Sequence, residues 1–225
     1  MKLTRNRKAH RFFSLTEGIF GHNVVLISGF MLPYIIMPAV SLKAAVALTV
    51  ALLFAVLLGM AAALLVSKQK DWVRYIVVTI AALGGVALSR FAIRLISTEI
   101  FDTLGIYLPL MAVNSIIVLH AARPTARDKA LSNLGRGLAA VVGFGLVACT
   151  VGALRELLLT GAVWGIPVTT PSFPAAGTVF FGFILLAFFS AAVQAVRRLF
   201  MGINLRLDNP TAEELIRRQE ERMVD

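Results

Sequence analysis

The sequence predicts an all-α integral membrane protein, with six transmembrane helices arranged as two inverted three-helix repeats in which helices 1 and 4 are broken. Three observations predict it. Hydrophobic residues fill 58% of 225 positions and the mean hydropathy is +0.83, more apolar surface than a soluble domain can bury. The apolar residues gather into six runs, near 19–40, 43–66, 73–96, 104–121, 138–159 and 175–196. Each is close to the ~20 residues that cross ~30 Å of hydrocarbon as a helix. None of the runs alternates, so a barrel wall is excluded, and backbone polar groups must be satisfied within helices.

Taken in order, the first run follows a basic N-terminus with no small-residue cleavage site after it, and is therefore kept as a span. It contains Gly21-His22-Asn23, Gly29, Pro33 and Pro38. The second, KAAVALTVALLFAVLLGMAAALL, is uninterrupted. The third carries Arg90 and Arg94, four apart and so on one face. The fourth holds Gly105, Pro109 and Asn114-Ser115. The fifth, GLAAVVGFGLVACTVGALRELLL, echoes the second and ends on Arg155-Glu156. The 161–174 segment has Pro167, Pro171 and Pro174 with no Lys or Arg, which suits an exposed loop. The sixth run gives way at Arg197 to a charged tail, so the division is 1–200 membrane domain and 201–225 cytoplasmic tail. Within the tail Asn209 reads as an N-cap with Pro210 as first helical residue.

The net charge of +10 and pI near 10.6 do not indicate nucleic acid, because the basic residues lie between apolar runs. With the N-terminus inside, eighteen of the 22 Lys and Arg fall on the cytoplasmic side, Lys43 alone falls outside, and Arg90, Arg94 and Arg155 lie within spans. The positive-inside rule then puts both termini in the cytoplasm, in a bacterial-type inner membrane.

Interrupted helices at corresponding places in two halves mark an inverted repeat with a midplane site. The candidates there are Asn23, Pro33, Pro109, Asn114 and Ser115; the alternative is prolines that kink ordinary helices. Asn114, ~15 Å into its span, fits either an interhelical hydrogen bond worth ~1 kcal/mol or a half-helix end that frames a site. Arg90, Arg94, Arg155 and Glu156 are intramembrane charges. Each costs on the order of 3 kcal/mol to insert, and an Arg90–Glu156 ion pair near the outer face is expected. His120 reads as interfacial. The single cysteine, Cys149, reads as a packing residue and rules out a disulfide or a self-contained multi-cysteine metal site.

Three stretches resemble a known family. LGIYLPLMAVNS (104–115), VGALRELLLTGAVWG (151–165) and HNVVLISGFMLP (22–33) are similar to segments of the D/E-type membrane subunits of Rnf and sodium-pumping NADH:quinone oxidoreductase complexes. The likeness covers roughly residues 15–200. It implies a related partner subunit of inverted topology and, in the family, an iron–sulfur cluster between the two on cysteines from both. Here the two motif cysteines are missing: the corresponding positions are the Phe30-Met31-Leu32 stretch, taken as Met31, and Ser115. No cofactor and no metal are expected, since such a cluster wants thiolates, or thiolates with imidazole.

The expected function is a cluster-less membrane subunit of a multi-subunit redox-linked complex, for electron transport or ion translocation, in a structural or ion-pathway role. No catalytic group of its own can be named. Other membrane subunits are the expected partners, with a possible cytoplasmic partner at the tail. Two alternatives stay open: a small transporter with its site at the broken helices, and a membrane scaffold.

Overall fold

The computed structural model describes residues 31–118, 130–170 and 173–208. These are almost entirely helical, and three helices are long and apolar enough to cross a membrane. Asn23, the three histidines His10, His22 and His120, and the expected Asn209–Pro210 helix start lie outside the described residues.

The first described helix is α1 (Leu32–Ile36), entered through Met31 in a left-handed conformation, φ 69°. It ends sooner than the predicted span limit of 40, because Pro38 has no N–H to continue the helical ladder. Helix α2 (Leu42–Leu65) starts where Ser41 caps it, its hydroxyl accepting from Ala44 N at 3.2 Å. After a short turn comes α3 (Asp71–Ile96), which Ser97 ends in extended conformation. Both match their predicted runs to within two residues, as uninterrupted apolar stretches should.

Helix α2 is the centre of the packing, with α3 and α6 (Ala130–Thr160) against it. Small residues permit this: Ala44, Ala45, Ala47, Ala51, Ala55 and Gly59 are buried along α2. Gly85 of α3 sits so close that an added Cβ would lie 2.4 Å from the Phe54 carbonyl oxygen. On α6, Gly145 lies against Thr49, and a Cβ on Gly152 would approach Ser41 O at 2.8 Å. Where hydrocarbon gives no hydrophobic drive for association, close backbone approach of this kind supplies the packing energy.

Two elements depart from expectation. Residues 98–104 form a separate short helix, α4 (Thr98–Leu104), which buries Ile100 and Leu104 and ends at Gly105, φ 43°. The 161–174 segment is not a plain loop. It contains a hairpin, β1 (Ala162–Val163) antiparallel to β2 (Ile166–Pro167). Trp164 and Gly165 at its turn both have positive φ, which a two-residue hairpin needs. A 3-10 turn (Pro174–Gly177) then leads into α7 (Val179–Asp208).

Helix α6 begins at Ala130, ahead of the apolar run expected from 138. By compactness the chain divides into residues 1–187, whose described part holds the packed helices, and residues 188–225, whose described part is the distal stretch of α7. Helical structure persists through Arg197, so the composition change there does not end the helix.

Candidate functional site at the broken helices

The fourth apolar run is broken where its asparagine stands. Helix α5 (Tyr107–Leu110) ends in a tight turn of i→i+3 bonds, Met111 N to Leu108 O, Ala112 N to Pro109 O and Val113 N to Leu110 O. Helical structure resumes at residues 115–118. Asn114, almost wholly buried, caps the restart: its Oδ1 accepts from Ile116 N at 2.9 Å and Ile117 N at 3.0 Å. Its Nδ2 donates back to the Met111 carbonyl. The amide therefore bonds backbone groups on both sides of the break, all within its own segment.

Two tyrosines tie this break to α1. Tyr34 donates its hydroxyl to Leu110 O at 3.2 Å and Val113 O at 3.4 Å, carbonyls at the interruption, the first of which also accepts from Val113 N. In the other direction, Tyr107 donates to the thioether sulfur of Met37 at 3.3 Å. Pro33 and Pro109 each stand next to or two residues from the tyrosine of their own segment. Hydropathy and charge single out neither tyrosine; a hydroxyl beside a helix-breaking proline was the available signal.

The other end of α1 is held by Arg155. This side chain is 0% exposed and meets no carboxylate. Its Nε donates to Ala176 O at 3.0 Å. Nη1 donates to Ile36 O at 2.7 Å and Ala39 O at 3.4 Å, and Nη2 to Gly177 O at 3.2 Å and Thr178 O at 3.1 Å. A guanidinium has five N–H groups in a planar fork, and all five are used on backbone carbonyls. These carbonyls close α1 and the 3-10 turn, where helix ends carry partial negative charge. Gly182 of α7 lies over the group, leaving only 3.3 Å between a would-be Cβ and Nη1.

Glu156 faces the opposite way. Oε2 accepts from Leu42 N at 2.8 Å, at the N-terminus of α2, and Oε1 from Gly165 N at 2.9 Å, in the hairpin turn. The expected Arg90–Glu156 ion pair is therefore not formed. Glu156 has both oxygens engaged by backbone N–H groups, while Arg90 is exposed and stacks over the Phe101 ring, 4.4 Å from its centroid. Arg94 is likewise exposed at the end of α3. Among the described residues the single ion pair is Arg74–Asp71, at 2.9 Å.

This arrangement makes a prediction for the pair. Glu156→Gln keeps one acceptor but turns an amide N–H₂ toward a backbone donor, and is expected to cost ~1–2 kcal/mol. Arg90→Ala and Glu156→Gln should add in thermal unfolding in detergent. A coupling well above ~0.5 kcal/mol would reinstate the ion pair.

Met31 is buried at the start of α1, Ser115 is half-buried at the restart after Asn114, and the lone Cys149 lies within α6, half-buried. The structure thus joins α1, which carries Pro33, to the segment of Pro109 and Asn114 through Tyr34 and Tyr107, and brings Arg155 to Ile36 O at the end of α1, while Glu156 turns to the start of α2 and the hairpin. It leaves Arg90 and Arg94 apart from that assembly.

Comparison with known proteins gives the family. A family model described as "Rnf-Nqr subunit, membrane protein" matches residues 12–194. The E subunit of the ion-translocating oxidoreductase complex of Cellvibrio japonicus is 25% identical over 150 residues, covering 66% of this chain and 63% of its own. The E subunit of the proton-translocating ferredoxin:NAD(+) oxidoreductase complex of Clostridium ljungdahlii is 32% identical over 98 residues, 42% of this chain and 46% of its own. In Shewanella sp. (strain MR-4), the E subunit of the ion-translocating oxidoreductase complex is 30% identical over 168 residues, 72% of each. The chain spans less than two thirds of the length of the first two relatives.

Proposed function

The chain belongs to the Rnf-Nqr family of membrane subunits, and on that premise we propose that it serves in a multi-subunit, redox-linked, ion-translocating membrane complex, in a structural or ion-pathway role. The observation that carries the role is how the polar groups at the broken helices are used. The five donors of Arg155, both oxygens of Glu156 and the amide of Asn114 are all engaged in holding backbone in place. Among the described residues, such a site positions helices and leaves no strong acid, base or nucleophile free for chemistry.

The proposal extends to six spans in two inverted repeats, both termini on the cytoplasmic side of a bacterial-type inner membrane, and a related membrane protein as partner. Support comes from the break at Asn114 and the charge distribution between the apolar runs. The charged tail offers a surface for a cytoplasmic partner.

The iron–sulfur cluster implied by the resemblance does not fit this chain's donor set. Met31 and Ser115 bring a thioether and a hydroxyl where thiolates would be required, and Cys149 belongs to α6 rather than to either broken helix. We therefore derive no electron-carrying step and propose that no cluster is held at these positions.

Purification from native membranes in mild detergent tests the whole reading. Other membrane subunits of an oxidoreductase complex should come with the chain, and no electron-paramagnetic cluster signal should depend on Ser115. A homo-oligomer that binds a small solute would favour a transporter instead. A stoichiometric cluster signal lost on Ser115→Ala would return the chain to the electron carriers.

A further inference from the structure

The turn between α2 and α3 is held more tightly than a connecting loop requires. Arg74, 4% exposed, reaches back into it: Nη2 donates to Ser67 O and Gln69 O, each at 3.0 Å, and Nη1 to Asp71 Oδ1 at 2.9 Å. Residues 67–71 are thereby fixed, and the Asp71 charge is paired. Lys68 and Lys70, on the same turn, are exposed, and their ammonium groups have no hydrogen-bond or ion-pair partner among the described residues.

The helix ends that flank this turn carry a large exposed apolar and aromatic surface. Leu65 closes α2 at 88% exposure, and Trp72, at 64%, opens α3. Tyr75, Ile76 and Ile80 continue the exposed face at helical spacing. Cationic heads at one level, amphipathic rings next to them and an apolar stripe below reproduce the layering of a phospholipid: anionic headgroup, interface, acyl chain. A soluble ligand would have no use for the stripe, and an apolar partner helix would have none for the two lysines.

We propose that this turn and the first three turns of α3 form a binding site for an anionic phospholipid, with Lys68 and Lys70 on the phosphate and Trp72 at the interface. The proposal rests on the membrane reading above. The buried Arg74 acts as a positioning residue, since it orders the turn without facing the lipid.

Trp72 is itself the probe. The chain has two tryptophans, so Trp164→Phe leaves Trp72 as sole emitter. The full chain in vesicles would be titrated with phosphatidylglycerol or phosphatidylcholine carrying brominated acyl chains. Quenching should favour phosphatidylglycerol by roughly thirtyfold, taking two basic residues near the surface. That preference should shrink with added salt and fall toward one in Lys68→Gln/Lys70→Gln. Millimolar inorganic phosphate should not compete. Equal quenching by both lipids, selectivity retained in the double variant, or loss of selectivity to inorganic phosphate would each overturn the site. So would the absence of quenching by either lipid because another protein covers Trp72. Resistance of the parent and the double variant to alkaline extraction reads the membrane assignment separately, and circular dichroism reads folding.

Discussion

Arg155→Ala is expected to lower the thermal midpoint in detergent by about 10 °C or more, the largest effect of any single substitution in the described residues. The side chain's removal leaves four backbone carbonyls, those of Ile36, Ala39, Ala176 and Gly177, without their donor, while Thr178 O keeps Gly182 N. Each unsatisfied buried acceptor costs ~1–3 kcal/mol, partly offset because a costly intramembrane charge is also removed. A net ~4 kcal/mol is consistent with breaking a buried charged contact, and 1 kcal/mol corresponds to ~2–4 °C in a chain of this size. Arg155→Lys should be intermediate, since an ammonium keeps the charge but offers three donors and no planar fork. Thermal unfolding followed by circular dichroism would decide it; a midpoint within about 2 °C of the parent for Arg155→Ala would mean that the carbonyls find other partners.

The second large effect concerns two adjacent glycines with opposite expected signs. At Gly85 a methyl group would stand 2.4 Å from Phe54 O and 2.7 Å from Phe54 C, both rigid helix backbone. Gly85→Ala must push α3 off α2, at a cost of ~3 kcal/mol, the upper end for overpacking. At Gly84 nothing lies within 4 Å, and alanine is the better helix former by up to ~1 kcal/mol. Gly84→Ala should therefore be neutral or stabilising. Denaturation of the two variants side by side checks the prediction; destabilisation of the same size by both would show that helix propensity, not the α2–α3 approach, sets the outcome.

How far the fold could be read from the chain depends on where the information lies. Uninterrupted apolar runs gave α2 and α3 nearly to the residue, because length and hydropathy are local properties. The interruption of the fourth run was also visible, from Gly105, Pro109 and Asn114-Ser115, while the use of the Asn114 amide stayed open between two readings. Helix α4 escaped because Glu99 and Asp102 dilute its hydropathy, and the hairpin because two-residue strands leave almost no pattern.

The site was legible in its members but not in its bonds. Arg155 and Glu156 stood out as charges inside a span, and charge pairing was the natural inference. Their partners are main-chain groups, which no residue type announces. A guanidinium among helix-end carbonyls, and a carboxylate at a helix N-terminus, satisfy the same electrostatic need as an ion pair would. Arg90 was misassigned for the matching reason: its partner is the face of Phe101, an aromatic with no formal charge.

The clasp around Arg155 also has a consequence for biogenesis. Ile36 and Arg155 are 119 residues apart, and Leu42 and Glu156 are 114 apart. At ribosomal rates of ~5–20 residues per second, the carbonyls that close α1 wait roughly 6–24 s between their own synthesis and that of the side chain that satisfies them. Throughout that interval the nascent half-helix must be sheltered, by the insertion machinery or by water at the bilayer surface. Its docking is therefore among the last events of assembly, completed only after the 3-10 turn has emerged.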